Sequence, residues 1–180
     1  MRSEAKLRVV ERLANAKPRE PKTEDRRQVD LSQLSVYAVP AHELQAWWPV
    51  VRPALEEVKR KNNPSWIPED VYHCIKQGIA WLALTLYGRD VIGVTVTCRD
   101  GDQFANATDM LVWIAWADPK NVARGIDEAG RVLTQKAIED AARAAGFRVV
   151  RMHSPRLGWL KVAPKLGYRM QEIVWVKSLR

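Results

Sequence analysis

Apolar positions change their period along the chain, and the changes mark its elements. Leu34–Val39 reads as a short strand carrying Val36, Tyr37 and Val39. From Ala41 to Lys61, the residues Leu44, Trp47, Trp48, Val51, Leu55 and Val58 recur with the period of one helix face. Pro49 and Pro53 lie inside that stretch, where each removes a backbone donor, so they should kink or divide the helix; Pro64 breaks it. Pro68 opens a second helix, with Glu69 and Asp70 in the first turn, where the helix dipole favours acid. That helix carries Val71, Cys74 and Ile75 and stops at Gly78. Ala80–Tyr87 and Val91–Cys98 are apolar and rich in β-branched residues, and Gly88-Arg89-Asp90 joins them as a hairpin. Arg99–Asn106 is a turn-rich loop.

Met110–Trp116 is a near-continuous apolar run, the pattern of a strand covered on both faces, and Asp118–Pro119 ends it. The longest helix is expected from about Arg124 to Ala145, with an apolar seam of Ile126, Ala129, Leu133, Ala137, Ala141 and Ala144, and Gly146 as its stop. Phe147–Met152 is the next strand. Pro155 precedes a helix over Arg156–Leu166, Gly167 closes it, and Tyr168–Val176 reads as the last strand. The order β-α-α-β-β-β-α-β-α-β predicts an α/β chain with a mixed sheet, in one domain over residues 34–180. Residues 1–33 differ. After a short apolar stretch (Leu7, Val10, Leu13) comes AKPREPKTEDRRQVD, which has almost no apolar residues and should not order alone. It reads as an extended charged arm that suits the surface of a neighbouring chain.

Composition narrows the picture further. A length of 180 residues fits one domain plus an arm, and 47% apolar with 28% charged residues is globular. The eight tryptophans should anchor a core or an interface, because each buries a large ring. The Trp47–Trp48 pair could serve the core, a substrate groove or a protein interface. A net charge of +8 favours anionic partners such as CoA phosphates, acidic protein faces or nucleic acid, although no nucleic-acid motif accompanies it. Cys74 and Cys98 have no metal-ligand spacing, so no metal is expected, and two unframed thiols suit a reducing compartment. No apolar run approaches membrane-spanning length and residues 1–30 lack an apolar signal region, so no membrane partner and a cytoplasmic location are expected.

The element order, the strand–loop–long helix at its centre and the sequence Lys165-Leu166-Gly167-Tyr168 together resemble the GNAT acyltransferase superfamily over about residues 34–177. In that family a loop R/Q-x-x-G-x-G/A opens the long helix, and its backbone N–H groups hold the CoA pyrophosphate. Unpaired N–H groups at a helix start form an anion site, and glycine permits close approach. Here the best register is Arg124-Gly125-Ile126-Asp127-Glu128-Ala129, with Asp127 at the central glycine position. Two carboxylates, Asp127 and Glu128, would then oppose phosphate charge. A second stretch, Ser154-Pro155-Arg156-Leu157-Gly158-Trp159 with Lys165–Tyr168, is similar to the family's terminal Y-x-x-x-G-F/Y. Gly167 and Tyr168 match it, but the proton-donating tyrosine falls on Ala163. Arg156–Trp159 also resembles GNAT-like proteins encoded by bacteriophages.

Amide-forming acyl transfer needs an amine deprotonated, a thioester polarised and a thiolate protonated. Asp109, Asp118 and His153 are the base candidates, near the ends of the two central strands. Asp118 before Pro119 equally suits a turn, and His153 equally suits the surface or a cap. Glu56–Glu57 and Glu69–Asp70 read as helix-surface acids, and His42 and His73 as structural. Arg148, Arg151, Arg156 and Lys161 read as a solvated basic edge or a phosphate contact. The resemblance with its departures implies a GNAT-fold protein that has lost catalysis and needs no cofactor. Such a protein would serve as a structural or binding component of an oligomeric assembly, in a host cytoplasm or virion if phage-encoded. It would meet protein partners through residues 1–33 and Trp47/Trp48. The alternatives are an active N-acetyltransferase using acetyl-CoA and a basic nucleic-acid-associated protein.

Overall fold

The computed structural model describes residues 30–100, 109–154 and 158–170. The chain divides into two units, residues 27–155 and residues 1–26 with 156–180. In the first, Asp30 caps a turn over Leu31–Gln33 by accepting the Ser32 N–H at 3.0 Å. The elements β1 (Leu34–Val39), α1 (Leu44–Asn62), α2 (Pro68–Lys76), β2 (Ala80–Tyr87), β3 (Asp90–Arg99) and β4 (Asp109–Ala117) follow. A short α3 (Lys120–Arg124), the long α4 (Asp127–Ala144) and β5 (Val149–Met152) complete it. The five strands lie in sequence order; β1 to β4 pair antiparallel and β5 pairs parallel to β4. This is the mixed α/β class that the apolar pattern predicts.

One sheet face packs on α1 and α2. Leu44, Val51, Leu55, Val71, Leu84, Val94 and Val96 are buried there. A smaller cluster joins Met110 and Val112 of β4 to Ile138 and Ala142 of α4 and to Phe147. Thr85, between Leu84 and Leu86, points to the α4 side, as the two-residue period of a strand requires.

Three expectations are corrected. Pro49 and Pro53 do not divide α1, which runs unbroken from Leu44 to Asn62. Both prolines are exposed and lie one turn apart, so the carbonyls they leave unpaired, those of Gln45 and Pro49, fall on the water side. The long helix begins at Asp127, not Arg124, because α3 and Gly125 intervene. Its buried stripe is Ile126, Gly130, Ile138 and Ala142 rather than the alanine seam. Gly130 lies on Ile92 and Thr85, and the Thr134 hydroxyl meets that of Thr85 at 2.6 Å.

In the second unit, the helix expected over Arg156–Leu166 is a single turn, α5 (Trp159–Val162), followed by a 3-10 turn over Ala163–Leu166. Gly167 (φ 82°) closes it, and the Tyr168 N–H donates to the Ala163 carbonyl at 3.0 Å. Tyr168–Met170 are not in a strand, and the rest of that expected strand, like most of the charged arm, lies outside the described residues.

Candidate functional site

β4 and β5 pair only from Asp109–Val112 to Val149–Met152. Beyond Val112, no strand among the described residues pairs with that side of β4 along Trp113–Ala117. On its other side β4 pairs with β3, and the register skips there: Thr97 faces Val112 while Val96 faces Ile114. Trp113 is therefore the extra residue of a β-bulge, placed where β5 departs. Such a bulge bends a strand and re-aims its backbone groups.

The chain then turns back tightly. The Asp118 N–H donates to the Ile92 carbonyl at 2.9 Å, and the Asp118 carboxylate accepts the Lys120 N–H at 2.9 Å. Asn121 is buried; its Nδ2 donates to the Ile92 carbonyl at 2.8 Å and its own carbonyl accepts the Ile126 N–H at 3.1 Å. Gly125 takes the left-handed conformation (φ 70°) that glycine adopts without strain. The glycine the turn requires is thus Gly125, two residues before the Asp127 position that the sequence register singles out. Ile126, with no exposed surface, pins the helix start to the core.

α4 begins without a side-chain cap. Its first-turn N–H groups, on Asp127, Glu128 and Ala129, have no carbonyl partner within the helix, as at any helix start. The Asp127 carboxylate is ion-paired with Arg131 one turn further on, and Glu128 is exposed. Arg124 reaches Asp90 at 3.8 Å. Arg124 to Ala129, the stretch that the resemblance sets at the pyrophosphate loop, spans the end of α3 and the first turn of α4.

The base candidates are dispersed. Asp109 starts β4, at the paired end, where its carboxylate accepts from Arg151 at 2.5 Å and Arg151 also approaches Asp100 at 3.6 Å. Asp118 is held in the turn just described. His153 is exposed and follows Met152, the last paired residue of β5, so it stands where the two strands part.

Sequence reasoning passed over Glu57. It is not a plain surface acid: its carboxylate accepts the Trp116 indole N–H at 2.6 Å and pairs with Lys61 at 2.5 Å. Those two bonds, the Lys61 one first, hold its carboxyl below the usual carboxylate range. A group whose folded pKa is depressed stabilises the fold above its unfolded pKa and loses that contribution as pH falls through the folded value. Glu57→Gln should therefore be less stable than wild type at pH 7, with the gap closing below about pH 4. Urea denaturation of both proteins at the two pH values checks this, and a gap that persists in acid contradicts it. The available sequence signal was position alone, since Glu57 falls three residues after buried Ala54 at the border of the apolar stripe. Trp47 and Trp48, offered as an interface, pack on Tyr37 (5.9 Å between centroids) and Tyr72 (4.8 Å). Among the described residues no cluster of His, Cys, Asp and Glu could hold a metal, and no helix is long and apolar enough to cross a membrane.

A five-stranded mixed sheet, a bulged central strand parting from its parallel neighbour and a helix opening beyond it define the GNAT fold. Solved structures agree. An aminoglycoside acetyltransferase from an uncultured soil metagenomic sample, in complex with sisomicin, matches at TM-score 0.61 and 15% identity, over 83% of this chain and 98% of its own. Ribosomal-protein-alanine N-acetyltransferase from Brucella melitensis biovar Abortus 2308 matches at TM-score 0.57 and 10% identity, over 82% and 99%. A Trypanosoma brucei acetyltransferase matches at TM-score 0.55 and 14% identity, over 81% and 99%. No family model and no curated protein matches the chain.

Proposed function

We propose that the protein binds an acyl-CoA and transfers its acyl group to an amine. The observation that carries this reading is the coincidence of three features at one place: the β4–β5 parting after Val112, the bulge at Trp113 and the uncapped start of α4. The backbone edge of Trp113–Ala117, which no described strand pairs, suits the amide groups of a pantetheine arm, and the N–H groups of Asp127–Ala129 suit a pyrophosphate. The pairing of Asp127 with Arg131 balances one of the two carboxylates that would oppose phosphate there, and the exposed Glu128 side chain remains. The bound thioester supplies an activated acyl group. This chain would contribute orientation from the strand edge, charge from the helix start, and His153 as the base candidate nearest the parting.

Isothermal titration of acetyl-CoA tests this. A micromolar Kd is expected, and Gly125→Val, which forces a branched residue into a left-handed position, should weaken it about tenfold or more. Absence of binding by wild type overturns the reading.

Ala163 favours a second reading, a binding component without catalysis, since it occupies the position of the family's proton-donating tyrosine. Tight acetyl-CoA binding with no thiol release for any amine would support that reading. Its extension to an oligomeric or virion assembly rests on residues 1–33, and removing them should then abolish assembly as read by light scattering.

A further inference from the structure

The chain's charge is unevenly divided between its two units. Residues 27–155 carry fifteen Lys and Arg against fifteen Asp and Glu, so the unit that holds the sheet is neutral. Residues 1–26 with 156–180 carry fourteen against six, which is the whole net charge of +8. The imbalance is sharpest toward the C-terminus: from Ala141 to Gln171 there are seven Lys and Arg and no Asp or Glu. Two of the seven have carboxylate partners, Arg143 on Glu139 and Asp140 and Arg151 on Asp109. In the second unit Lys161, Lys165 and Arg169 are exposed, and no carboxylate among the described residues pairs with any of them.

Their spacing is set locally. α5 holds Lys161 and the 3-10 turn after it holds Lys165, so the two positions are one turn apart, about 7 Å along the axis. Gly167 (φ 82°) then reverses the chain, with the Tyr168 N–H on the Ala163 carbonyl at 3.0 Å, and Arg169 follows. Phosphates along one strand of a nucleic-acid duplex recur about every 3.4 Å of axis, so two steps match the interval between the lysines. A cluster of unbalanced cations repels itself. Binding a polyanion relieves that repulsion and releases the counter-ions condensed on the polyanion. An anionic membrane is gripped by cations together with an apolar face. Over residues 158–170 the exposed large apolar residues are Leu160 and Met170, at opposite ends of the segment, which do not make such a face.

We infer that the second unit is a docking surface for the phosphate backbone of a nucleic-acid duplex, held by Lys161, Lys165 and Arg169 without regard to base sequence. The neutral sheet unit takes no part, so this binding stands apart from the acyl-transfer reading.

The test is fluorescence anisotropy of a labelled duplex of about twenty base pairs, titrated with the full chain between about 50 and 200 mM NaCl. Affinity should fall at least about fortyfold over that range, the effect of three phosphate contacts, and a duplex of unrelated sequence should give the same curve. Lys161→Gln/Lys165→Gln/Arg169→Gln should reduce the slope of log K against log salt by about 2.7 and weaken binding about tenfold or more at the lower salt. Arg60→Gln/Arg89→Gln/Lys136→Gln removes the same charge from exposed positions of the neutral unit and should leave the slope unchanged. Equal weakening by the two triple variants would show that net charge alone drives binding, and overturns the inference. Absence of binding at the lower salt overturns it too. So does tighter binding of poly-glutamate, or of vesicles of equal parts phosphatidylserine and phosphatidylcholine, than of the duplex.

Discussion

Ile126→Ala is expected to lower the unfolding free energy by about 2–5 kcal/mol and to weaken acetyl-CoA binding with it. Ile126 has no exposed surface. Its N–H donates to the Asn121 carbonyl at 3.1 Å and its carbonyl accepts the Gly130 N–H at 2.9 Å, so one residue ties the turn after β4 to the first turn of α4. Removing the side chain leaves a cavity under the helix start. The surroundings cannot collapse freely, because Gly130 already lies on Ile92 and Thr85. Ile126→Val should cost only about 0.5–1.5 kcal/mol. Urea denaturation reads the stability, and titration at a temperature where both variants are folded reads the binding. A loss below about 1 kcal/mol for the alanine variant would show that Ile126 does not anchor the turn.

Gly93→Val should be the other severe substitution. A Cβ at position 93 would lie 3.1 Å from the Thr85 Cβ and 3.2 Å from its Oγ1, with the Trp116 carbonyl at 3.5 Å. Thr85 cannot yield cheaply. It is buried, and its hydroxyl meets that of Thr134 at 2.6 Å, while the Thr134 hydroxyl donates to the Gly130 carbonyl at 2.7 Å. The clash should cost about 1–3 kcal/mol, and breaking the hydroxyl pair about 1 kcal/mol more. Shortening the opposing residue should relieve part of it, so the double variant Gly93→Val/Thr85→Ala should be more stable than the sum of the single losses predicts. Strict additivity would contradict the contact.

Strands β1 to β5 and the first two helices are legible because their apolar residues are dense and their breakers sit at the ends. β4 reads as a strand from Met110 to Trp116, and the structure extends it by one residue each way, to Asp109–Ala117, but it is not covered on both faces: Met110, Val112 and Ile114 are buried while Ala115 is exposed. The stripe of α4 was misread for a physical reason. An apolar alphabet selects alanines, whereas the sheet accepts Gly130 for its lack of bulk and Thr134 because Thr85 offers its hydroxyl a partner. The prolines of α1 were misread because composition does not say which carbonyls they release; here both fall on the water side. The chemistry of Arg124–Ala129, between β4 and the body of α4, depends on contacts between turns. Whether Asp127 faces the helix start or Arg131 is a matter of rotamer, and the turn glycine is identified by its positive φ. The parting of β4 and β5 depends on where a pairing ends, which the amino-acid pattern of neither strand states. Glu57 was invisible for the same reason, since its partner Trp116 lies 59 residues away.

On the proposed function, acyl-CoA enters where β4 leaves β5 and reaches the start of α4. An amide-resolved NMR titration of the full chain with CoA tests it most directly. Saturable shifts are expected on the N–H groups of Trp113–Ala117 and of Asp127, Glu128 and Ala129, with the amides of β1 and β2 unmoved. Saturable shifts confined to other parts of the sheet, or none at millimolar CoA, would contradict it.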